Sequence, residues 1–232
     1  MNLTTQKFLV IDTETTGVKP PIDKVVEVAA LPVLGSRIDD GFNSLVNPGI
    51  PIPPTASAVH HLTDEHVRGA PTLDELTERL VAQAQDAVLV AHNADFDKSF
   101  LPALADKKWI CTMRLAKHLF PLAPSYSNQS LRYWLKLNVP DSGLPPHRAK
   151  SDATVTAILF TELLGRYVNQ EGDHGVDALI DFVNKPITVE RMPFGKHKDM
   201  ELSKVPRDYL QWMLKNCELD YDLRYSIKAI AG

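Results

Sequence analysis

Apolar and polar residues come in alternating blocks over the first fifty positions and predict three neighbouring strands. "KFLVI" is an apolar run that stops at the polar "DTETTG", as a buried strand does where it ends in a loop. "KVVEVAALPVL" predicts a second strand, and "GFNSLVNP" predicts a third that ends at Asn47-Pro48. The links between these runs are short, which antiparallel neighbours allow.

A second pattern begins after the proline-rich stretch that ends at Pro54. Short apolar strands now alternate with segments of helical periodicity, and threonine caps predict two of the helix starts. The predicted strands are "AVLVA" and "WIC", and the predicted helices are "TDEHV", "TLDELTERLVAQAQ", "DFDKSFLPALA", "TMRLAKHLF", "SNQSLRYWLKL" and "AKSDATVTAILFTELLGRY". This alternation, from about residue 87 onward, indicates an α/β layered fold.

The composition changes after Tyr167, where "VNQEGDHG" is polar and contains glycine. We therefore expect a main domain at residues 1–168 and a linker with a short helix at residues 169–185. Residues 186–232 are expected to form a small α+β module with a β-hairpin and two helices.

The bulk composition of the 232 residues is that of an ordinary globular protein, with 44 % hydrophobic and 23 % charged residues. The net charge of −4 argues weakly against a nucleic-acid partner, unless several acids are committed to binding cations.

Cys111 and Cys217 fit neither a metal spacing nor a disulfide framework, so we expect a reducing, cytoplasmic setting. The apolar run after Lys7 is too short for a signal peptide, and no run is long enough to span a membrane.

Two carboxylates follow the first strand, at Asp12 and Glu14. Residues i and i+2 of a strand point to the same face, so these carboxylates repel each other unless cations sit between them. Clustered oxygen ligands suit Mg²⁺ or Mn²⁺. Taken alone, an Asp-x-Glu pair is more often a solvated loop.

A second acidic stretch, "HNADFD", follows the strand "AVLVA" directly. Asp97 is expected in the first turn of the next helix, where the helix dipole alone would favour an acid. Asp95 competes with it for any metal role. Phe96 could offer a stacking surface for a base, and Asn93 could equally bind a substrate or cap the helix.

The third stretch, "PPHRAKSDA", contains His147 and Asp152. On one helix these residues would be about 500° apart in rotation and would not share a face. Because Pro145 and Pro146 disfavour helix just before them, we expect His147 on a loop and Asp152 on the helix. That division suits a general base and a metal ligand. Alone, the pair is more often a loop histidine beside an ordinary helical aspartate.

Together the three stretches resemble the DEDDh family of 3′→5′ exonucleases, which share Asp-x-Glu, Asn-x-x-Phe-Asp and His-x4-Asp in this order. The resemblance covers about residues 7 to 167. It implies a ribonuclease H-like fold, with a five-stranded mixed sheet and helices on both sides. It also implies two Mg²⁺ or Mn²⁺ ions with His147 as the general base, and the metal ligands Asp12, Glu14, Asp97 and Asp152.

The resemblance further implies substrate contacts at Thr15, His60, Asn93 and Phe96. In "AVHHLTDEHV", His61 stands where the family often has glycine, which leaves the geometry of this loop open. The basic residues of the C-terminal module could bind phosphates or belong to a solvated charged hairpin; they are Arg191, Lys196, Lys198, Lys204 and Arg207.

The function implied is hydrolysis of DNA from its 3′ end to 5′-mononucleotides, in DNA repair. The segments "WICTMRLAKHLFP", "YSNQSLRYWLKLNV" and "PPHRAKSDATVTAIL" favour DNA, because they resemble a DNA-degrading member of the family. An exoribonuclease of the same fold and a non-catalytic nucleic-acid-binding adaptor remain as alternatives. The oligomeric state is open, with a homodimer as one possibility.

Overall fold

A computed structural model describes residues 2–140, 143 and 145–232. One mixed sheet lies at its centre, with the strand order β3-β2-β1-β5-β6 and with β4 also paired to β2. β1 runs antiparallel to β2 and parallel to β5, and β5 runs parallel to β6. The strands are β1 (Lys7–Thr15), β2 (Val25–Leu34), β3 (Arg37–Ile38), β4 (Phe42–Leu45), β5 (Val88–Ala91) and β6 (Trp109–Cys111). The expected mixed sheet is confirmed, and the two-residue β3 adds a sixth strand to the five expected.

Ten α-helices lie in the described part of the chain. They are α1 (Pro54–His60), α2 (Asp64–Val67), α3 (Leu73–Gln83), α4 (Ala94–Phe100), α5 (Thr112–Leu119), α6 (Asn128–Trp134), α7 (Ala149–Glu171), α8 (Gly175–Asn184), α9 (Arg207–Asn216) and α10 (Tyr221–Ala231). Thr63 and Thr72 cap α2 and α3 as the sequence predicted, each in a capping box. None of the described helices has both the length and the apolar character that crossing a membrane requires.

The strand β1 is buried on both faces, which explains its unbroken apolar run. Phe8 and Val10 pack in a core with α7, whereas Leu9 and Ile11 pack in a second core with α3 on the opposite face. Helices on both sides of a central strand hold that strand rigidly. The polar end of β1 is therefore a fixed platform for side chains.

The chain divides into two compact units, one running up to Val183 and the other Asn184–Gly232. Leu179 and Val183 of α8 are buried in the same core as α7, so this helix belongs to the first unit. α7 itself continues to Glu171, past the position where we expected the linker to begin.

The second unit, Asn184–Gly232, has a core of its own. The expected hairpin is present as a single bridge between Arg191 and Glu201, and two helices follow it, α9 and α10. The residues of this core come from the segment around the bridge, from α9 and from α10; they are Met192, Leu202, Val205, Leu210, Met213, Leu223, Ile227 and Ala231.

Candidate active site

Asp12 and Glu14 lie at the carboxyl end of β1, and both side chains are half-buried. Their i, i+2 spacing puts them on one face of the strand. The register between β1 and β2 shifts at Glu14 and Thr15, which is a bulge. Bulges next to a site re-aim side chains, and here the bulge follows directly after the second carboxylate.

Asp97 lies in α4 and is only 3 % exposed. Its Oδ1 accepts hydrogen bonds from the main-chain nitrogen of Thr13, at 2.9 Å, and from the Thr13 hydroxyl, at 2.8 Å. Thr13 stands between Asp12 and Glu14, so these bonds fix α4 against the acidic end of β1. Thr13 was not among the expected site residues, although its place inside "DTET" marks it.

Asp152 lies in the first turn of α7 and is buried. Its two carboxylate oxygens have different partners. Oδ1 accepts from Nε2 of Gln129 on α6, at 2.9 Å, and Oδ2 accepts from the main-chain nitrogen of His147, at 2.8 Å. The carboxylate is therefore oriented from two sides.

His147 lies outside α7, which begins at Ala149 with Arg148 as its N-cap. Its side chain is exposed, and its φ of 62° places the backbone in the left-handed region. Glu14, His147 and Asp152 each offer a ligand atom, and these three atoms lie within 4.8 Å of one another. The loop and helix positions expected for this histidine and aspartate are thus both observed, and the histidine ring lies beside the acids.

Glu27 is a buried carboxylate that the sequence reasoning missed. It lies on β2 directly opposite Glu14 and is fully buried. Its oxygens accept from Arg148 Nε at 2.9 Å, from Arg148 Nη2 at 3.0 Å and from the Ala149 nitrogen at 3.0 Å. One carboxylate therefore ties the loop that carries His147 to the strand beside Glu14. An acid inside the apolar run "VVEVAAL" was the available signal.

Burial raises the pKa values of three acids of the site, and neighbouring charges add to the effect at two of them. Burial, followed by the charges of Asp97 and Glu14, raises the pKa of Asp12 well above its usual range. Burial and the charge of Asp152 raise the pKa of Glu14 to about 8. Burial also raises the pKa of Asp97 to about 7, against the opposing hydrogen bonds from Thr13. Such a cluster carries more negative charge than its surroundings offset, and its oxygen donors fit divalent cations.

The structure brings the five expected residues to one end of the sheet, but not into one equally tight group. Glu14, His147 and Asp152 form the close trio. Asp12 and Asp97 lie outside the trio but are linked to it by charge. The charges of Glu14 and Asp152 raise the pKa of Asp12, and the charge of Asp97 raises the pKa of Glu14.

The expected substrate contacts differ in exposure. The ring of His60 is 1 % exposed and accepts a hydrogen bond from the Leu62 nitrogen, at 3.0 Å. Burial of the ring lowers the pKa of His60. The Thr15 hydroxyl is also occupied, because it donates to the carbonyl of Gly17 at 2.5 Å. The Thr15 hydroxyl is therefore occupied within the chain, whereas Nε2 of His60 is buried without a hydrogen-bond partner among the described residues.

Asn93 and Phe96 remain open to a ligand. Asn93 occupies the N-cap position of α4 with a φ of 67°, but its side chain makes no capping bond and is exposed. Phe96 is partly buried and packs against Phe100, with 5.0 Å between ring centroids. Of the two roles weighed for Asn93, the free side chain leaves the substrate role available.

Residues 9–160 match the model of the Exonuclease family (RNase_T). Residues 182–217 match a second family, described as "Putative quorum-sensing-regulated virulence factor". The chain is 34 % identical over 224 residues to Exodeoxyribonuclease 10 of Escherichia coli (strain K12), and the alignment covers 94 % of this chain and 96 % of that protein. It is also 38 % identical over 167 residues to the DNA polymerase III subunit epsilon-like protein of Rhodobacter capsulatus, covering 68 % of this chain and 23 % of that protein.

Solved structures that resemble this chain are also exonucleases. The chain aligns to a structure of Exonuclease X in complex with 5′ overhanging duplex DNA, with a TM-score of 0.64 and 35 % identity, covering 76 % of this chain and 99 % of that one. Exonuclease I of E. coli in complex with a dA16 oligonucleotide shares the fold, with a TM-score of 0.57 at 16 % identity. The likeness to exodeoxyribonuclease X carried by segments such as "PPHRAKSDATVTAIL" is confirmed.

Proposed function

Since this chain belongs to the exonuclease family, we propose that it removes nucleotides from the 3′ end of DNA by metal-dependent hydrolysis of phosphodiester bonds. One observation carries the proposal: Glu14, His147 and Asp152 offer ligand atoms within 4.8 Å of one another, beside the charges of Asp12 and Asp97. Clustered carboxylates that can hold divalent cations, with a histidine beside them, are what this hydrolysis requires.

We propose that the acids hold two divalent cations, Mg²⁺ or Mn²⁺. The four ligands would be Asp12, Glu14, Asp97 and Asp152, and each supplies the hard oxygen atoms that these cations prefer. When bound, the cations supply positive charge that offsets the carboxylates and the charge that develops on a phosphate. The raised pKa values of Glu14 and Asp97 support this assignment, because these carboxylates lack such charge in the chain alone.

His147 is proposed as the general base that accepts the proton of the attacking water. Its ring is exposed and lies beside Glu14 and Asp152, while its backbone is held by the bond to Asp152. A neutral imidazole can accept a proton near neutral pH, and a base fixed in place contributes more to the rate than a free one.

DNA is the proposed substrate class, with 5′-mononucleotides as the products. Support comes from Exodeoxyribonuclease 10, which the chain resembles over nearly its whole length, and from the DNA complex of Exonuclease X. Asn93 and Phe96 are the proposed contacts to the terminal nucleotide, since both remain accessible. A role in DNA repair and a cytoplasmic setting follow as part of the same proposal.

The test compares 5′-labelled single strands of DNA and RNA of one sequence, with Mg²⁺ and with the Asp12→Ala variant as control. We expect a ladder on DNA that shortens from the 3′ end and is absent for the variant. Faster shortening of RNA would favour the exoribonuclease, because only the 2′-OH separates the two substrates at each position. Binding of either strand without cleavage would favour the adaptor.

A further inference from the structure

The C-terminal unit, Asn184–Gly232, carries three aromatic side chains in contact on its surface, His197, Tyr209 and Trp212, called here the aromatic ladder. The ring centroids of His197 and Tyr209 are 4.7 Å apart, and those of Tyr209 and Trp212 are 5.7 Å apart with planes tilted by 31°. Tyr209 and Trp212 are three residues apart on α9, so they share a side of the helix. Trp212 is 52 % exposed, and a tryptophan this open leaves much of its ring uncovered.

A tight turn, residues 193–200, packs against the ladder. Gly195 has a φ of 77°, and a Cβ at this position would lie 3.1 Å from the hydroxyl of Tyr209. The main-chain nitrogen of Lys198 donates to the carbonyl of Gly195 at 3.1 Å, which closes the turn. The turn therefore places the His197 ring, with a lysine on either side of it in sequence, against Tyr209.

Basic residues surround the ladder without acidic partners. Lys196 and Lys198 flank His197, and Lys215 follows Trp212 by three residues on α9. Within the described residues none of these three lysines has a carboxylate oxygen within 4.0 Å.

The balance of charge also differs between this unit and the rest of the chain. The unit has nine Lys and Arg against seven Asp and Glu, a net charge of +2, although the whole chain has −4. Asp199, Glu201, Asp208 and Glu218 are the nearby acids in sequence, and Glu201 pairs with Lys204 rather than with a lysine beside the ladder.

We propose that the aromatic ladder and its lysines form a binding site for single-stranded nucleic acid, separate from the catalytic residues. Bases would stack on the open face of Trp212, and Lys196, Lys198 and Lys215 would bind the phosphates. Single strands fit because their base faces are exposed, whereas a duplex hides them. A protein partner fits less well, because lysines without partners interrupt the apolar surface. The proposal rests on nucleic acid as the substrate of the catalytic unit, but its test measures binding.

The test uses the full-length protein carrying Asp12→Asn, which prevents cleavage during the measurement. Its affinity for a labelled oligothymidylate is measured by fluorescence anisotropy at several salt concentrations. Trp212→Ala should weaken binding about tenfold, because one stacking contact is lost. Lys196→Gln with Lys198→Gln should reduce the slope of log affinity against log salt by about 1.4, at about 0.7 for each phosphate contact. The matched control is Tyr221→Ala, an exposed aromatic of α10 outside the ladder, which should bind as the background does.

A second measurement separates this site from the catalytic one. With Asp12 intact, the Trp212 and lysine variants should hydrolyse the p-nitrophenyl ester of thymidine 5′-phosphate at the parental rate, because none of the substituted residues is among the proposed catalytic residues. If both sets of variants kept the parental affinity and the parental salt slope, the proposal would be overturned. The aromatic ladder and its lysines would then be explained by a protein partner. Failure of the parent to degrade DNA would instead contradict the proposed function while leaving the oligothymidylate result intact.

Discussion

The main-chain nitrogen of His147 donates a hydrogen bond of 2.8 Å to Oδ2 of Asp152. This bond joins the loop to the first turn of α7, so the proposed base and a proposed ligand move together. The backbone of His147 also has a φ of 62°, which few residues other than glycine adopt without strain. The backbone at His147 is therefore held in place, and its exposed imidazole is the part that remains free to act.

Substitution of His147 should separate its chemical role from its structural one. His147→Ala and His147→Gly should each lower kcat by about 10²- to 10⁴-fold, because both remove the base. His147→Gly should nevertheless be more stable than His147→Ala by about 1 kcal/mol, since glycine tolerates the left-handed backbone. Steady-state kinetics and urea unfolding measure the two effects. Parental kcat in either variant would refute the base assignment. If Mn²⁺ stabilised the parent against urea but neither variant, His147 would instead be a metal ligand.

The carboxylate of Glu27 should stabilise the fold and position His147. Glu27→Ala should lower the free energy of unfolding by about 3 kcal/mol, because it leaves the Arg148 guanidinium and the Ala149 nitrogen without their acceptor. Glu27→Gln keeps the shape of the side chain but weakens the paired bonds, so it should lower kcat about tenfold with little change in KM.

The exposed pair of Arg37 and Asp39 provides the control for Glu27. Its nitrogen and oxygen are 2.7 Å apart, as close as those of the buried pair, but both side chains are open to water. Arg37→Ala should therefore cost less than about 1 kcal/mol and leave kcat unchanged. Equal losses of stability at the two sites, or parental kcat in Glu27→Gln, would contradict the role given to Glu27.

The metal-free protein should lose stability as the pH rises from about 5 to 8. Glu14 and Asp97 have pKa values of about 8 and about 7 in the folded chain, against ordinary values of 4.5 and 3.8. At a pH below the ordinary pKa values, these carboxyl groups are protonated in both the folded and the unfolded chain. As the pH rises above the ordinary values, the groups ionise in the unfolded chain only, which stabilises that state. The loss of stability stops once the pH passes the pKa of the folded chain. For the buried Asp97 the loss is on the order of 3 kcal/mol.

Urea unfolding in EDTA at several pH values measures this loss. Glu14→Gln should flatten the dependence, and saturating Mn²⁺ should reverse it, since the cation binds the ionised carboxylates. A free energy of unfolding that rises between pH 5 and 8 without metal would show that the acids are not held in this strained arrangement.

His61 should be a site where glycine stabilises the chain. It ends α1 with a φ of 61° and donates its main-chain N–H to the Ser57 carbonyl, so it keeps the left-handed cap geometry that glycine prefers. His61→Gly should raise the free energy of unfolding by up to about 1 kcal/mol, whereas His61→Ala should not. Urea unfolding of the two variants checks this, and equal stabilities would mean that the backbone is not strained there.

Much of this fold was predictable because it follows from local sequence. The apolar run before Asp12 required a buried strand, and the prolines before His147 required that it lie outside the helix of Asp152. The threonine caps of α2 and α3 were equally local. The exonuclease family was indicated by the joint pattern of the three acidic motifs, and the mixed sheet was implied by that resemblance.

The remaining features depend on contacts between distant parts of the chain. The pairing of Glu27 with Arg148 joins residues 121 positions apart, and no local pattern indicates it. The burial of His60 is a second such feature, because the resemblance implied a substrate contact at this residue and said nothing of its exposure. The end of α7 lies beyond the expected boundary because polar residues such as Asn169 and Gln170 continue a helix as readily as they begin a linker.

The most direct measurement follows the nucleotide at the 3′ end of a DNA strand. A single-stranded DNA with a label in its last nucleotide is incubated with the protein and Mg²⁺, and the first labelled product is identified by chromatography. We predict a 5′-mononucleotide, released only with divalent cation and not by the Asp152→Asn variant. A labelled oligonucleotide as the first product, or release that persists in EDTA or in that variant, would contradict it.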